Sequence, residues 1–320
     1  MTKAKAYMSF ILALLLFGSN GVVASAISLP SYQIVYLRTA IGSLALLAIL
    51  VFSRTSLAAR RHPRDFAFVV LSGIAMGVGW LFLYEAYQRV GIGLSSLIYY
   101  CGPIIVMALS PVLFKERLGL RKVACFVVVL AGLVLVNGAV SGSTLDLTGI
   151  ALSAGSAIAF SFLVIFNKKA AAITGLENSA WQLTSAFLVV AVFMIAQEGT
   201  PAVAIPAGQW PYVLMLGLLN TGLGCYLYFG VFDQISSQTV ASLGYLEPLT
   251  AVVLGVAVLG EPMTAIQVTG AALIIGGAIA CELVKPAKRS EKTDKAGMAF
   301  VAKKAFGTAR LKCAASIAEL

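Results

Sequence analysis

The sequence predicts an all-α integral membrane protein with ten transmembrane helices, arranged as two inverted five-helix repeats. Three observations carry that prediction. Of the 320 residues, 60% are hydrophobic and only 11% charged, against about 25% charged in soluble domains. Such a chain would precipitate in water, so a polytopic membrane protein is the class that fits. Second, Val240–Glu261, VASLGYLEPLTAVVLGVAVLGE, exceeds the ~20 residues that cross a hydrocarbon core, and it has an internal echo. Tyr100, Pro103 and Glu116 each sit 145 residues before Tyr245, Pro248 and Glu261. Third, the basic residues fall in short runs between apolar segments and in the tail, the pattern by which membrane proteins fix their orientation. That distribution argues against nucleic acid as the partner of the +10 net charge.

Ten apolar segments follow one another at roughly 7–28, 32–53, 66–88, 92–113, 119–138, 148–167, 178–197, 210–231, 238–259 and 264–284. The first has Lys3 and Lys5 ahead of it and Ala24-Ser25-Ala26 near its end, which resembles a signal-peptide cleavage site. Its full length and its counterpart in the sixth segment, Phe17-Gly18 against Phe160-Ser161, favour a retained helix. With the N-terminus in the cytoplasm and alternating spans, 21 of the 23 basic residues fall inside. Arg89 alone falls outside and Arg38 lies within the second segment. Both termini are therefore expected in the cytoplasm of an inner (plasma) membrane.

Five spans per half is an odd number, so the second half must be inverted. The charges agree. KERLGLRK after the fourth segment is basic, whereas its counterpart GEPMTAIQ after the ninth has no lysine or arginine. Val123 then pairs with Val268, and Ala131-Gly132 with Gly276-Gly277. The expected domains are a first repeat over 1–138, a second over 139–284, and a basic cytoplasmic tail over 285–320, read as disordered in preference to an amphipathic surface helix. Repeats of this kind place the substrate site at their interface.

Charged residues inside spans are costly and few. Arg38 sits about six residues into the second helix. It is a candidate clamp for a carboxylate, or a partner of Glu85 or Glu247, and the bland alternative is a side chain snorkelling to the interface. Glu85 lies near the outer end of the third helix. Glu247 lies roughly 15 Å deep at 1.5 Å per residue; a carboxyl that changes charge as a transporter opens can couple proton movement to transport, so Glu247 and Glu85 are the candidates for coupling. Glu282 is expected to reach headgroups. Pro103 and Pro248 each remove a helical hydrogen bond and kink their helix. Trp80, Tyr84, Tyr99 and Tyr100 cluster in the first half, and Trp181, Tyr226, Tyr228 and Tyr245 in the second; several are interfacial belt residues. Tyr100 and Tyr245 lie deeper and are expected to line the cavity with Arg38, Trp80, Tyr84 and Glu247. Ser19-Asn20-Gly21 and Asn220-Thr221-Gly222 interrupt apolar runs, as cavity or packing residues.

Several chemistries lack a signal. The five cysteines have neither metal-ligand nor disulfide spacing, and His62, the only histidine, sits among loop arginines. No Walker-type GxxxxGK[ST] appears, and neither HExxH nor GxSxG. No enzyme activity, metal or cofactor is expected.

This pattern resembles the drug/metabolite transporter superfamily, EamA type. The likeness rests on a proline with a glutamate thirteen residues on and then a Gly-rich helix, Pro103 to Glu116 and Pro248 to Glu261, with FGSNGVVAS in the first helix and LRTAIGSLAL, containing Arg38, in the second. It covers 7–284 and looks closest to bacterial exporters of amino acids, including aromatic amino acids. The resemblance implies an inner-membrane carrier with a central cavity and alternating access. Phosphate-carrying relatives use buried basic residues; here Arg38, with Lys168 and Lys169 at the inner end of the sixth helix, departs from that pattern. The expected function is a secondary transporter, acting as a monomer in the bilayer on a small molecule. Arg38 would meet the carboxylate and Glu247 the ammonium of an amino acid, with Tyr100 and Tyr245 stacking on its side chain. The alternatives are a multidrug exporter of lipophilic cations held by cation–π contact and, in another class, a channel or membrane scaffold.

Overall fold

The computed structural model describes residues 3–53, 57–114, 119–137, 146–260 and 264–283. The tail 285–320, Glu116, Glu261 and the side chain of Glu282 lie outside the described residues. Among the described residues all regular structure is helical: α1 Lys3–Gly18, α2 Asn20–Ser25, α3 Ser31–Phe52, α4 Pro63–Tyr99, α5 Gly102–Leu113, α6 Leu120–Asn137, α7 Leu147–Lys169, α8 Gly175–Glu198, α9 Trp210–Leu214, α10 Gly224–Phe229, α11 Ser237–Leu243, α12 Leu246–Leu259 and α13 Ala265–Leu283. A π-helical stretch, Met215–Leu223, joins α9 to α10. Among the described residues seven helical stretches are long and apolar enough to cross a membrane, and Gly102–Leu113 and Val268–Cys281 are shorter apolar helices. The surface is apolar where a soluble protein would be polar: Met8, Leu44, Phe52, Val192 and Ile279 are exposed, while Arg38, Asn167, Gln182, Asn220 and Thr221 are buried. That inversion is what hydrocarbon surroundings demand.

Where the sequence shows ten segments, helix boundaries fall differently, each for a local reason. The first segment breaks at Ser19. The Leu16 carbonyl accepts from Ser19 Oγ at 2.7 Å and from Asn220 Nδ2 at 2.8 Å, so it is drawn out of the helical ladder. The third segment and the start of the fourth form one helix, α4, of 37 residues, about 55 Å if straight. It is not straight. Ser156 Oγ on α7 donates to the Gly79 carbonyl at 2.9 Å, and a Cβ at Gly102 would stand 2.8 Å from the Ala157 carbonyl oxygen. Residues that would lie about 35 Å apart along a straight helix therefore meet one turn of α7. Ser96 Oγ also reaches the Tyr87 hydroxyl at 3.5 Å. The chain reverses between Arg89 and Ser96 without losing helical hydrogen bonding, at the expected gap between segments.

Two further breaks match one another. α4 stops at Tyr99 and α5 starts at Gly102; α11 stops at Leu243 and α12 starts at Leu246. Pro103 and Pro248 follow at once, and neither has an N–H to give the carbonyl four residues back. The neighbouring amides shorten their reach, Ile104 N to Cys101 O at 3.0 Å and Glu247 N to Gly244 O at 3.2 Å.

Residues 1–284 form one unit because helices of the two halves pack on each other. α6 and α13 approach through glycines. A Cβ at Gly132 would stand 2.6 Å from the Gly270 carbonyl oxygen, and one at Gly277 would stand 2.6 Å from Val129 Cγ2 and 3.1 Å from the Cys125 carbonyl oxygen. Gly276, its neighbour, is exposed and has nothing within 4 Å. Gly277→Ala is therefore expected to destabilise the protein by about 1–3 kcal/mol through overpacking. Gly276→Ala should be neutral or stabilising by up to about 1 kcal/mol, from helix propensity. Thermal unfolding of the two variants in detergent checks the pair; equal melting temperatures would count against this packing.

Outside the spans, Asp146 caps α7. Its carboxylate accepts from Thr148 N at 2.8 Å, and that bond, with Arg89 beside it, holds its pKa below the ordinary aspartate value. The cap contributes at neutral pH and is lost as pH falls through the lowered pKa.

Candidate functional site

Arg38 lies on the inner face of α3 and is 4% exposed. Its Nε donates to Thr221 Oγ1 at 3.0 Å, and Thr221 in turn donates to the Leu216 carbonyl at 2.8 Å, five residues back. That spacing belongs to the π-helical stretch, a local geometry that recurs at functional sites. Arg38 Nη1 approaches the Tyr84 hydroxyl at 3.5 Å, and the guanidinium lies 4.7 Å from the centroid of the Trp80 ring. Trp80 and Tyr84 are one turn apart on α4, so both face α3 together. The guanidinium carries five N–H donors. Among the described residues these contacts engage Nε and Nη1 and no carboxylate.

Glu247 sits in the first turn of α12, beyond the break at Gly244-Tyr245. Its side chain is half-buried and accepts no hydrogen bond among the described residues. Arg38 lies within Coulombic reach, as do Tyr87, Tyr99, Tyr100 and Tyr228, yet no ion pair joins Arg38 to Glu247. The rings are linked: Tyr84 to Tyr87 at 5.5 Å, Tyr99 to Tyr100 at 5.2 Å and Tyr99 to Phe160 at 5.6 Å between centroids. Ser19 and Asn220 also meet, Asn220 Nδ2 donating to Ser19 Oγ at 2.7 Å. The Oδ1 atoms of Asn20 and Asn220 are buried without a partner among the described residues.

Two expected site residues stand elsewhere. Tyr245 is 0% exposed; it packs against Phe126 and donates its hydroxyl to the Tyr100 carbonyl at 2.7 Å. In this structure it is packed away from solvent, because the broken ladder at Tyr100 supplies an acceptor that a buried tyrosine can satisfy. Glu85 faces away from Trp80 and Tyr84. It pairs with Arg89 one turn on, at 2.8 Å, and Arg89 reaches Asp146 at 3.5 Å. Glu85 borders a separate cleft of about 440 Å³ with Tyr32, Phe82 and Phe193, so the structure does not bring it to Arg38 or Glu247.

The profile of the EamA-like transporter family matches residues 4–138 and again 147–281. The chain belongs to the EamA-like transporter family. The uncharacterized transporter YxxF of Bacillus subtilis (strain 168) is 23% identical over 284 residues, covering 86% of this chain and 88% of that protein. The threonine/homoserine exporter RhtA of Escherichia coli (strain K12) is 28% identical over 255 residues, covering 77% and 80%. A solved crystal structure shares the fold with a TM-score of 0.76 at 21% identity, covering 88% of this chain and 99% of that one. This chain is thus a membrane transporter.

In this EamA-like chain a second polar group lies at the other end of α7. Lys168 donates to the carbonyls of Phe232 and Ile235. Lys169 lies 5.8 Å from the Phe68 ring. Asn167 Nδ2 bonds Asn178 at 3.0 Å and Gln182 at 2.8 Å. Glu177 accepts from the amides of Ala58 and Ala59 at 2.8 and 2.9 Å, and Asp65 from that of Ala172 at 2.7 Å. These bonds tie the 57–62, 170–177 and 230–236 connections together. Lys168 is engaged by these two carbonyls. Sequence reasoning missed Tyr87 altogether and left Thr221 undecided between cavity and packing; Thr221 next to Asn220 in an apolar run was the available signal, whereas nothing marks Tyr87 out among interfacial tyrosines.

Proposed function

We propose that this chain is an inner-membrane secondary transporter that exports amino acids or closely related metabolites by alternating access, with both termini in the cytoplasm. The observation that carries the reading is the pair Arg38 and Glu247. They are opposite charges within Coulombic reach, unpaired with each other, on separate helices amid tyrosine rings. An α-amino acid between them would give its carboxylate to the unused guanidinium N–H groups and its ammonium to Glu247, completing both sets of hydrogen bonds. The likeness to RhtA, a threonine/homoserine exporter, supports the same substrate class.

Ten spans in two inverted five-helix repeats, 1–138 and 139–284, are part of the proposal. The contacts between α6 and α13 are reciprocal: Gly132 meets Gly270, while Gly277, 145 residues after Gly132, meets Cys125, 145 residues before Gly270. That is the pattern of a two-fold axis. The family profile matches each half, and with ten alternating spans 21 of the 23 basic residues fall on one side. A lipophilic cation is the second reading, favoured by the rings around Glu247, Tyr87, Tyr99, Tyr100 and Tyr228, which suit cation–π contact.

The test is counterflow in proteoliposomes containing the purified protein, with labelled amino acids in parallel and with and without an imposed pH gradient. Saturable exchange of some amino acids is expected. Flux of lipophilic cations with no amino-acid flux would replace the first reading by the second, and conduction without saturation would overturn both.

A further inference from the structure

Resting on the alternating-access reading above, we infer that Tyr100 and Tyr245 are positioning residues that form a reciprocal latch between the two broken helices. In the conformation described here Tyr245 caps the Tyr100 carbonyl; in the opposite-facing conformation Tyr100 caps the Tyr245 carbonyl.

The two tyrosines stand 145 residues apart, the spacing that also relates Pro103 to Pro248. Each sits at a break that its proline opens three residues later. The break strips a carbonyl of its helical donor: Ile104 N–H bonds Cys101 O rather than Tyr100 O. Tyr245 supplies the missing donor at 2.7 Å, across the boundary between the two halves of the chain. Its ring lies 6.0 Å from that of Tyr100, in a packed layer with Phe126, Met107 and Leu249. The equivalent bond is not made. The Tyr100 hydroxyl has no hydrogen-bond partner among the described residues; its ring is half-buried, with Glu247 within Coulombic reach. The Tyr245 carbonyl keeps only a long ladder bond from Leu249 N at 3.4 Å.

The two halves thus share the tyrosine and the proline at this point and differ in conformation. One tyrosine is fully buried and bonded, the other half-buried with its hydroxyl unbonded among the described residues. If the halves exchange conformations, as inverted repeats do when the cavity changes sides, the two tyrosines exchange places. The arrangement also makes the breaks interdependent. α12 cannot swing about Tyr245 without releasing the carbonyl at the head of α5, so the two hinges move together.

The test uses the full chain in liposomes, with its five native cysteines replaced. Spin labels go in pairs at Ser28 and Gln88 on the expected outer side, and at Arg60 and Asp233 on the expected inner side, all exposed. Pulsed dipolar spectroscopy then reads the populations of the two states. One hydrogen bond shifts a two-state ratio by roughly fivefold. Tyr245→Phe is expected to lower the share of the state described here by about that factor and Tyr100→Phe to raise it, with the double variant returning towards wild type. Tyr100→Phe removes a hydroxyl that bonds nothing in this state, so it folds into this state even if Tyr245→Phe does not, and its shift alone decides the matter. Populations that are anticorrelated between the two sides, with both variants moving the same way or Tyr100→Phe moving nothing, overturn the latch and leave alternating access standing. A single distance on each side in wild type and every variant overturns alternating access itself.

Discussion

Arg38→Lys is expected to lower amino-acid transport by at least about a hundredfold while the protein still folds. The two cations are not equivalent at this position. The guanidinium lies over the Trp80 ring, bonds Thr221 through Nε and reaches Tyr84 through Nη1, and it still has N–H groups unused for a carboxylate. A lysine ammonium is a point charge with three donors and no plane to stack. It can meet Thr221 or a substrate carboxylate, but not both while covering the indole. Losing a buried charge-assisted contact costs about 2–5 kcal/mol, and about 3 kcal/mol is a hundredfold in affinity. Arg38→Leu should lose transport altogether and also melt lower, since Thr221 and Tyr84 then lose a partner. Ligand-induced shifts in melting temperature and counterflow rates measure the two effects separately. Near wild-type transport by Arg38→Lys would remove Arg38 from substrate binding and leave it a structural brace for the π-helical stretch.

Glu247→Gln is expected to lower transport by about a hundredfold with expression and melting temperature unchanged. The carboxylate accepts no hydrogen bond among the described residues, and glutamine keeps its size, so the fold loses nothing. What disappears is the negative charge facing the substrate ammonium, worth about the same hundredfold. The variant also separates binding from coupling. If wild type concentrates substrate only under an imposed proton gradient and the variant exchanges substrate slowly but ignores the gradient, Glu247 carries the proton. If wild-type flux needs no gradient, the residue serves binding alone. Full activity in the glutamine variant would sink both roles.

Much of this was legible along the chain because a bilayer imposes a one-dimensional pattern. Segment length, the few interruptions by charge, and the placement of lysine and arginine are each set by the cost of polar groups in hydrocarbon. Composition and spacing therefore led to the membrane class, the family and the short candidate set that includes Arg38, Trp80, Tyr84 and Glu247. The prolines marked both helix breaks in the same way, since a missing N–H acts locally.

The assignment of partners was not legible. Tyr100 and Tyr245 look alike in sequence, yet one is half-buried and the other fully buried, because only one of the two carbonyls takes a hydroxyl in this structure. Glu85 and Tyr84 are adjacent, but 100° of helical rotation sends one to Arg89 and the other to Arg38. α4 doubles back within an unbroken run of helical hydrogen bonds, which only the meeting of Gly79 and, just past its end, Gly102 with one turn of α7 reveals. The sequence by itself determined which side chains must leave the lipid; the tertiary structure decided which of them meet, because hydrogen bonds and ring contacts depend on distances between helices far apart in the chain.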